Sequence, residues 1–225
     1  MTMDARQEGV SEPGAQAWYP AVKRALDLVV AGAVLVIGAP LWLAVAAAIR
    51  LTSPGPALYR GPVVGLDGHV FTYYKFRSMR PGDDSHHREW LRDFVRADRP
   101  FLDTEGEPVY KAVNDNRITP VGRFLRRFSL DEVPQLINVV IGDMSIVGPR
   151  PPIPAEFEVY DEAARRRLTV KPGITGLYQV TARSRVPFSE MLAIDMDYIR
   201  RRSLGLDLSI MLRTVGAVLQ GEGAA

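Results

Sequence analysis

The chain has 225 residues, 47% hydrophobic and 24% charged, which suits one well-packed unit with an appendage better than two domains. Its 28 Lys and Arg face 26 Asp and Glu, a formal charge of +2, so overall charge argues against a nucleic-acid coat and leaves anion binding to local clusters. The absence of cysteine excludes disulfides, thiolate nucleophiles and zinc ribbons.

Residues 1–17 are rich in Glu, Gln, Gly and Ala without apolar periodicity and read as a disordered tail. Trp18 and Tyr19 follow as candidate interfacial anchors. From Leu28 to Ile49 there are 22 residues without a charge, and a straight helix of that length reaches roughly 33 Å, the thickness of a bilayer core. A signal peptide, with Ala46 to Ala48 as its cleavage region, competes poorly because the run is too long and starts late. A buried soluble helix would be shorter and polar on one face. Lys23 and Arg24 precede the run while Arg50 and Arg60 follow it, so the positive-inside rule pulls both ends to the cytoplasm. Pro40, near the middle, removes a helical hydrogen bond and favours a kink. A spanning helix and a re-entrant one both remain open at this level. The expected organisation is a tail over 1–17, an anchor over 18–53 and a catalytic domain over 54–225.

Ser53-Pro54-Gly55-Pro56 forces a turn, and Ala57 to Arg60 with Val70 to Phe76 read as strands of a hairpin around Leu66-Asp67-Gly68. Residues 80–116 are dense in Asp, Arg and Glu and predict a charged helix and a long loop, with His86 and His87 as solvated loop residues. Helices are predicted over 121–128, 132–141, 155–168, 188–201 and 206–219. In the last, Leu206, Ile210, Leu212, Val215 and Leu219 suggest one broad apolar face for a core or a membrane surface.

Candidate chemistry concentrates in two stretches. In Arg126-Arg127-Phe128-Ser129-Leu130-Asp131-Glu132-Val133-Pro134, arginines precede two adjacent carboxylates. A plain structural reading makes Ser129 and Glu132 a capping box, but Pro134 would then fall inside the helix. A start near Asp131 avoids this and leaves an ionised carboxylate at the helix's positive end, suited to a nucleophile or a metal ligand. In Gly148-Pro149-Arg150-Pro151, flanking prolines present one arginine rigidly, as bidentate phosphate recognition requires. Lys75 and Arg77 fall on one side of the alternating strand Tyr73 to Met79, which suits either an anion site or a solvated edge. Phosphate-binding and zinc-protease motifs are absent.

These stretches occur in a definite order: Lys23-Arg24 before a proline-broken apolar run, Tyr74-Lys75-Phe76-Arg77-Ser78-Met79, Ser129-Leu130-Asp131-Glu132, Gly142 to Pro151, and Lys171-Pro172-Gly173-Ile174-Thr175-Gly176. Over residues 21–220 the chain resembles the bacterial sugar transferases, the monotopic phosphoglycosyl transferases, in a short form. The resemblance implies an α/β, mostly helical enzyme on the cytoplasmic face of the bacterial inner membrane, with a re-entrant anchor marked by Lys23, Arg24 and Pro40 and a compact domain containing a small β-hairpin. It implies that Asp131 attacks the β-phosphate of a UDP-sugar, releases UMP and holds a phosphosugar for polyprenyl (undecaprenyl) phosphate. By the same resemblance Glu132 is expected to complete the dyad and Mg2+ to sit at Asp131, and Lys75, Arg77, Arg126, Arg150, Gln179 and Arg183 are the expected substrate contacts. Downstream glycosyltransferases and a homodimer are the expected protein partners, with no nucleic acid, in capsule, exopolysaccharide, O-antigen or glycoprotein glycan assembly.

Two departures stand out. The family breaks its anchor at a Ser-Pro pair, where this chain has Ala39-Pro40; and Leu177-Tyr178-Gln179-Val180-Thr181-Ala182-Arg183 replaces the usual Trp-Ala-Gln-Val-Asn-Gly-Arg. A non-catalytic membrane adaptor working through its arginines is the rival class, but it gains nothing from Asp131 and Glu132. A hydrolase releasing free sugar phosphate is the enzymatic rival.

Overall fold

The computed structural model describes residues 17–83, 85–98, 101–102, 108–109, 117–182 and 186–220. The apolar run folds as two helices, α1 (Tyr19–Ile37) and α2 (Ala39–Thr52), bent by 63° at Gly38. No single described helix is long and apolar enough to cross a membrane, whereas the bent pair together is. Pro40 lies in the first turn of α2, where its missing N–H costs nothing, so the bend falls just before it. The Trp42 indole lies across the break and donates to Val34 O at 3.0 Å. A Cβ on Gly38 would collide with that indole and with Val34 O, which explains the glycine.

The strands β1 (Leu58–Val64) and β2 (Val70–Phe76) form the antiparallel hairpin, with Tyr59 opposite Lys75 and Gly61 opposite Tyr73. The connecting turn places Asp67 and Gly68 at φ of 53° and 81°. β1 runs four residues beyond the expected Arg60, through Pro62, which a two-stranded sheet tolerates because both strands are edges. Helix α3 (Ser85–Ala97) is the charged helix expected after the hairpin; His86 and His87 lie on it and not in a loop. Beyond it, β3 (Phe101–Leu102) pairs with β4 (Pro108–Val109).

Helix α4 (Pro120–Arg127) is capped by Thr119, whose hydroxyl accepts from Gly122 N at 2.9 Å. A tight turn at Leu130–Glu132 leads to α5 (Gln135–Ile141), with Pro134 at its N-cap. The predicted helix over 155–168 is three short pieces: α6 (Pro154–Phe157), α7 (Glu162–Arg165) and a final turn at Arg166–Thr169. The break follows from Asp161, which starts the second piece by accepting from Ala164 N at 2.7 Å. Flanking these pieces in the chain, β5 (Ser145–Val147) and β6 (Gly173–Thr175) make a parallel pair absent from the sequence reading. The last described elements are α8 (Leu177–Thr181), α9 (Phe188–Arg201) and α10 (Leu204–Leu219).

One core joins the first half of the anchor to the domain. Ala31 of α1 packs in it with Leu136 and Val139 of α5, Ile146 of β5, Tyr198 of α9 and Ile210 of α10. Burying each of these larger apolar side chains contributes about 1.5–3 kcal/mol. Lys23 and Arg24, read as free flanking charges, are used inside the molecule. Lys23 Nζ meets Asp207 Oδ2 at 2.9 Å, and Arg24 donates to Val139 O and Val140 O at 2.6 and 3.0 Å. They therefore clasp α1 onto α10 and onto the end of α5. In contrast, Val36, Ile37, Leu43 and Leu51 further along the anchor are 72–86% exposed. The expected single apolar face of α10 is divided: Leu206 and Ile210 face the core while Leu212, Val215 and Leu219 face outward.

Candidate active site

The Asp131–Glu132 pair sits on a turn set by an unusual backbone. Ser129 has φ 51° and ψ 20°, a left-handed conformation costing about 1–2 kcal/mol for a non-glycine residue. Its side chain makes no cap, so the capping-box reading fails; the turn closes instead through Glu132 N to Ser129 O and Val133 N to Leu130 O. Such local strain persists only where its surroundings hold it, and it concentrates at functional sites.

Asn138 fixes that turn relative to the hairpin. Wholly buried on α5, it donates to Thr72 O at 2.7 Å and accepts from Tyr74 N at 3.2 Å, gripping β2 on both sides of Tyr73. Sequence reasoning passed over Asn138; the available signal was a lone amide within Leu136-Ile137-Asn138-Val139-Val140. The consequence is that Lys75 Nζ lies 2.8 Å from Glu132 Oε1, both side chains about one-fifth exposed. Burial alone lowers the Lys75 ammonium, but Glu132, Tyr73 and Asp131 outweigh it and raise the group above the ordinary lysine value. Asp131 is itself 5% exposed and has no side-chain hydrogen bond or ion pair among the described residues.

Tyr73 links this pair to the second half of the site. Its ring lies 5.0 Å from Lys75 Nζ, and burial pushes its hydroxyl up to about 12, with Lys75 and Arg150 pulling down and Glu132 pushing up. The Tyr73 phenol therefore stays protonated at neutral pH, with Lys75 beside its ring.

Arg150 is held from behind. Its Nη1 lies 3.6 Å from Glu156 Oε2, a fully buried carboxylate, while its carbonyl accepts from Arg167 Nη2 at 3.2 Å. Arg167 is 1% exposed, paired with Asp195 and donating to Tyr160 Oη at 2.7 Å; Tyr160 in turn donates to Glu156. The backbone beneath is equally constrained. Gly148 N donates to Thr175 O and Gly173 N to Pro149 O, both at 2.9 Å, and a Cβ on Gly148, Gly173 or Gly176 would meet the facing backbone. This crossing is the reason for glycines in both the Gly-Pro-Arg-Pro and Lys-Pro-Gly-Ile-Thr-Gly stretches.

The remaining expected contacts are placed differently. Arg77 does not join Lys75: the strand ends at Phe76, so alternation ends too, and Arg77 turns inward, 7% exposed, to donate to Ser53 O, Ser53 Oγ and Pro54 O at 2.8 Å each. It clamps the end of the anchor to the hairpin. Arg126, near the end of α4, folds toward Met79 Sδ at 3.4 Å. Gln179 donates to Ile174 O at 3.0 Å, with its Oε1 buried beside Gly176, and so braces the loop crossing. Arg183 lies outside the described residues.

The donor set fits Mg2+ delivered with a diphosphate. Among the described residues no three His, Cys, Asp or Glu gather into a cage, but magnesium usually takes one or two carboxylates plus phosphate oxygens and waters. Asp131, near-buried and unbonded, is such a carboxylate; Glu132 is already engaged by Lys75.

The family model described as bacterial sugar transferase matches residues 18–221. The chain is 38% identical over 202 residues to the exopolysaccharide production protein ExoY of Rhizobium meliloti, covering 90% of this chain and 87% of that protein. It is 41% identical over 210 residues to a UDP-glucose:undecaprenyl-phosphate glucose-1-phosphate transferase of Caulobacter vibrioides, covering 90% and 71%. It is 40% identical over 203 residues to an undecaprenyl-phosphate galactose phosphotransferase of Salmonella typhimurium, covering 90% of this chain but 41% of that longer protein.

Proposed function

The chain belongs to the bacterial sugar transferase family, and on that premise we propose that it moves a hexose 1-phosphate from a UDP-hexose to undecaprenyl phosphate, as a membrane step of exopolysaccharide or capsule assembly. The observation carrying this reading is the Lys75–Glu132 pair beside the near-buried Asp131, with Arg150 braced by Glu156 and Arg167. A carboxylate nucleophile and cations set against the phosphate oxygens are the groups that phosphoryl transfer from a diphosphate uses.

In the proposed mechanism an Asp131 carboxylate oxygen attacks the β-phosphorus, the bond to the bridging oxygen breaks, and UMP leaves with the electron pair. Asp131 then carries the phosphosugar as an acyl phosphate. An oxygen of undecaprenyl phosphate attacks that phosphorus, regenerating the carboxylate and forming the diphosphate-linked lipid. Arg150, held rigid by Glu156 and Arg167, offers a fork to the diphosphate oxygens. Lys75 stays cationic and keeps Glu132 beside Asp131. Asp131 is the residue that would hold Mg2+, whose charge would offset that of the diphosphate. The relatives divide between glucose and galactose, which supports a hexose without choosing between them.

The anchor is proposed to be re-entrant, with both flanks on the cytoplasmic face. The 63° bend and the outward apolar side chains support this. Single cysteines at Ala17 and Pro56 of this cysteine-free chain should react alike with an impermeant thiol reagent in intact cells; opposite labelling establishes a spanning pair. The reaction is tested by UMP release from UDP-glucose and UDP-galactose. A burst without lipid and turnover with undecaprenyl phosphate are expected, whereas continuous release of free hexose phosphate without lipid identifies a hydrolase.

A further inference from the structure

Helices α2 and α4 enclose an apolar groove of about 510 Å3, lined on the anchor side by Ala44, Val45 and Ala48 and on the domain side by Val121, Phe124 and Leu125. The groove exists because Ala44 and Ala48, one turn apart, place only methyl groups on that face of α2. Its domain wall packs against the residues on either side of the Asp131–Glu132 pair. Leu125 and Val45 share a packed cluster with Leu130 and Val133, the residues that bracket Asp131 and Glu132. The groove thus lies between the anchor and α4, and its domain wall packs against the turn that carries Asp131 and Glu132. The two helices that flank the groove carry exposed cations that complement an anionic headgroup: Arg123 and Arg127 on α4 and Arg50 in the last turn of α2.

We propose that this groove binds the first isoprene units of the acceptor prenyl phosphate and guides its phosphate to Asp131. The proposal rests on the functional reading above but concerns a separate site. The volume falls within the range of about 300–1,000 Å3 typical of small-molecule sites, so the groove holds only part of a long prenyl chain and leaves the remainder in the bilayer. Phe124, 57% exposed at the edge, supplies a flat apolar wall against which isoprene methyls pack.

Two measurements test it. The first uses an undecaprenyl phosphate analogue with a diazirine near its phosphate end, and a phospholipid bearing the same group in an acyl chain, each in nanodiscs with the full chain. Cross-links from the prenyl probe to α2 and α4 peptides, suppressed by unlabelled undecaprenyl phosphate, are expected. Equal labelling by the phospholipid, or prenyl labelling elsewhere, overturns the proposal. The second fills the groove with Ala44→Phe or, more conservatively, Ala48→Leu. Either should raise KM for undecaprenyl phosphate about tenfold, the scale of excluding a few methylenes, while leaving UMP release from UDP-hexose within about twofold. Geranyl phosphate, too short to fill the groove, should lose less. Phe124→Ala removes a wall without adding bulk and should weaken the long acceptor alone. Unchanged KM in all three variants overturns the proposal. Loss of the UMP burst in the wild type refutes the reaction scheme instead, and the cross-linking result still decides the groove.

Discussion

Replacing Arg167 by Met leaves Asp195 charged in a site where it is 2% exposed, and leaves the Tyr160 hydroxyl and the Arg150 carbonyl without their donor. Breaking one side of a buried ion pair costs about 3–5 kcal/mol, and a chain of this size loses roughly 2–4 °C per kcal/mol, so the midpoint should fall by about 6–20 °C. The pH dependence carries a sign. Burial raises the Asp195 carboxyl above its ordinary value and Arg167 opposes that rise, so removing Arg167 raises it further. A carboxyl raised in the folded state favours folding when protonated, and this contribution is lost as pH rises through the folded value. The deficit should therefore be larger at pH 8 than at pH 5. Tryptophan fluorescence on heating, in nanodiscs, measures it. A second change, Asp195→Leu, should restore most of the loss, while activity stays low because Arg150 is still unbraced. A midpoint within about 2 °C of wild type for Arg167→Met, independent of pH, refutes the buried network.

Other consequences follow from the same geometry. Glu132→Gln removes the main anion holding Lys75 charged, leaving burial to lower it; Lys75 should then react faster with an acylating reagent at pH 9 than in the wild type, and unchanged reactivity contradicts the pairing. Gly38→Val should displace Trp42 from the anchor break, cutting membrane-bound yield and changing Trp42 fluorescence; an unaltered spectrum shows that the indole does not span the bend. Arg150→Lys keeps the charge but loses the fork, and turnover should fall by about tenfold or more with folding intact; near-normal turnover makes Arg150 a surface residue.

Legibility in the sequence followed locality. The hairpin was readable because alternation and an Asp-Gly turn are local signals, and α9 and a kink near Pro40 were readable for the same reason, although the bend falls at Gly38. The parallel β5–β6 pair was not, because three-residue strands starting at Ser145 and Gly173 carry no pattern of their own. Asp131, Glu132, Lys75 and Arg150 were singled out by residue type and order, but the contacts that hold their backbone were hidden. Asn138 and Tyr73 act through long-range contacts, and the Glu156–Tyr160–Arg167–Asp195 network looks in sequence like ordinary charged helix surface. Arg77 was assigned to the site by extending strand alternation one residue too far. Lys23 and Arg24 were read as topological charges because their partners, Asp207 and the α5 carbonyls, lie more than a hundred residues away.

The central claim is that Asp131 carries the sugar phosphate between two displacements. Incubating the protein with UDP-glucose or UDP-galactose labelled in the β-phosphate, without lipid, should leave label on the wild type and none on Asp131→Asn. Added undecaprenyl phosphate should then chase the bound label into the lipid fraction. Absence of protein-bound label, together with transfer by Asp131→Asn at a rate near wild type, would contradict the account and make the lipid phosphate the direct nucleophile.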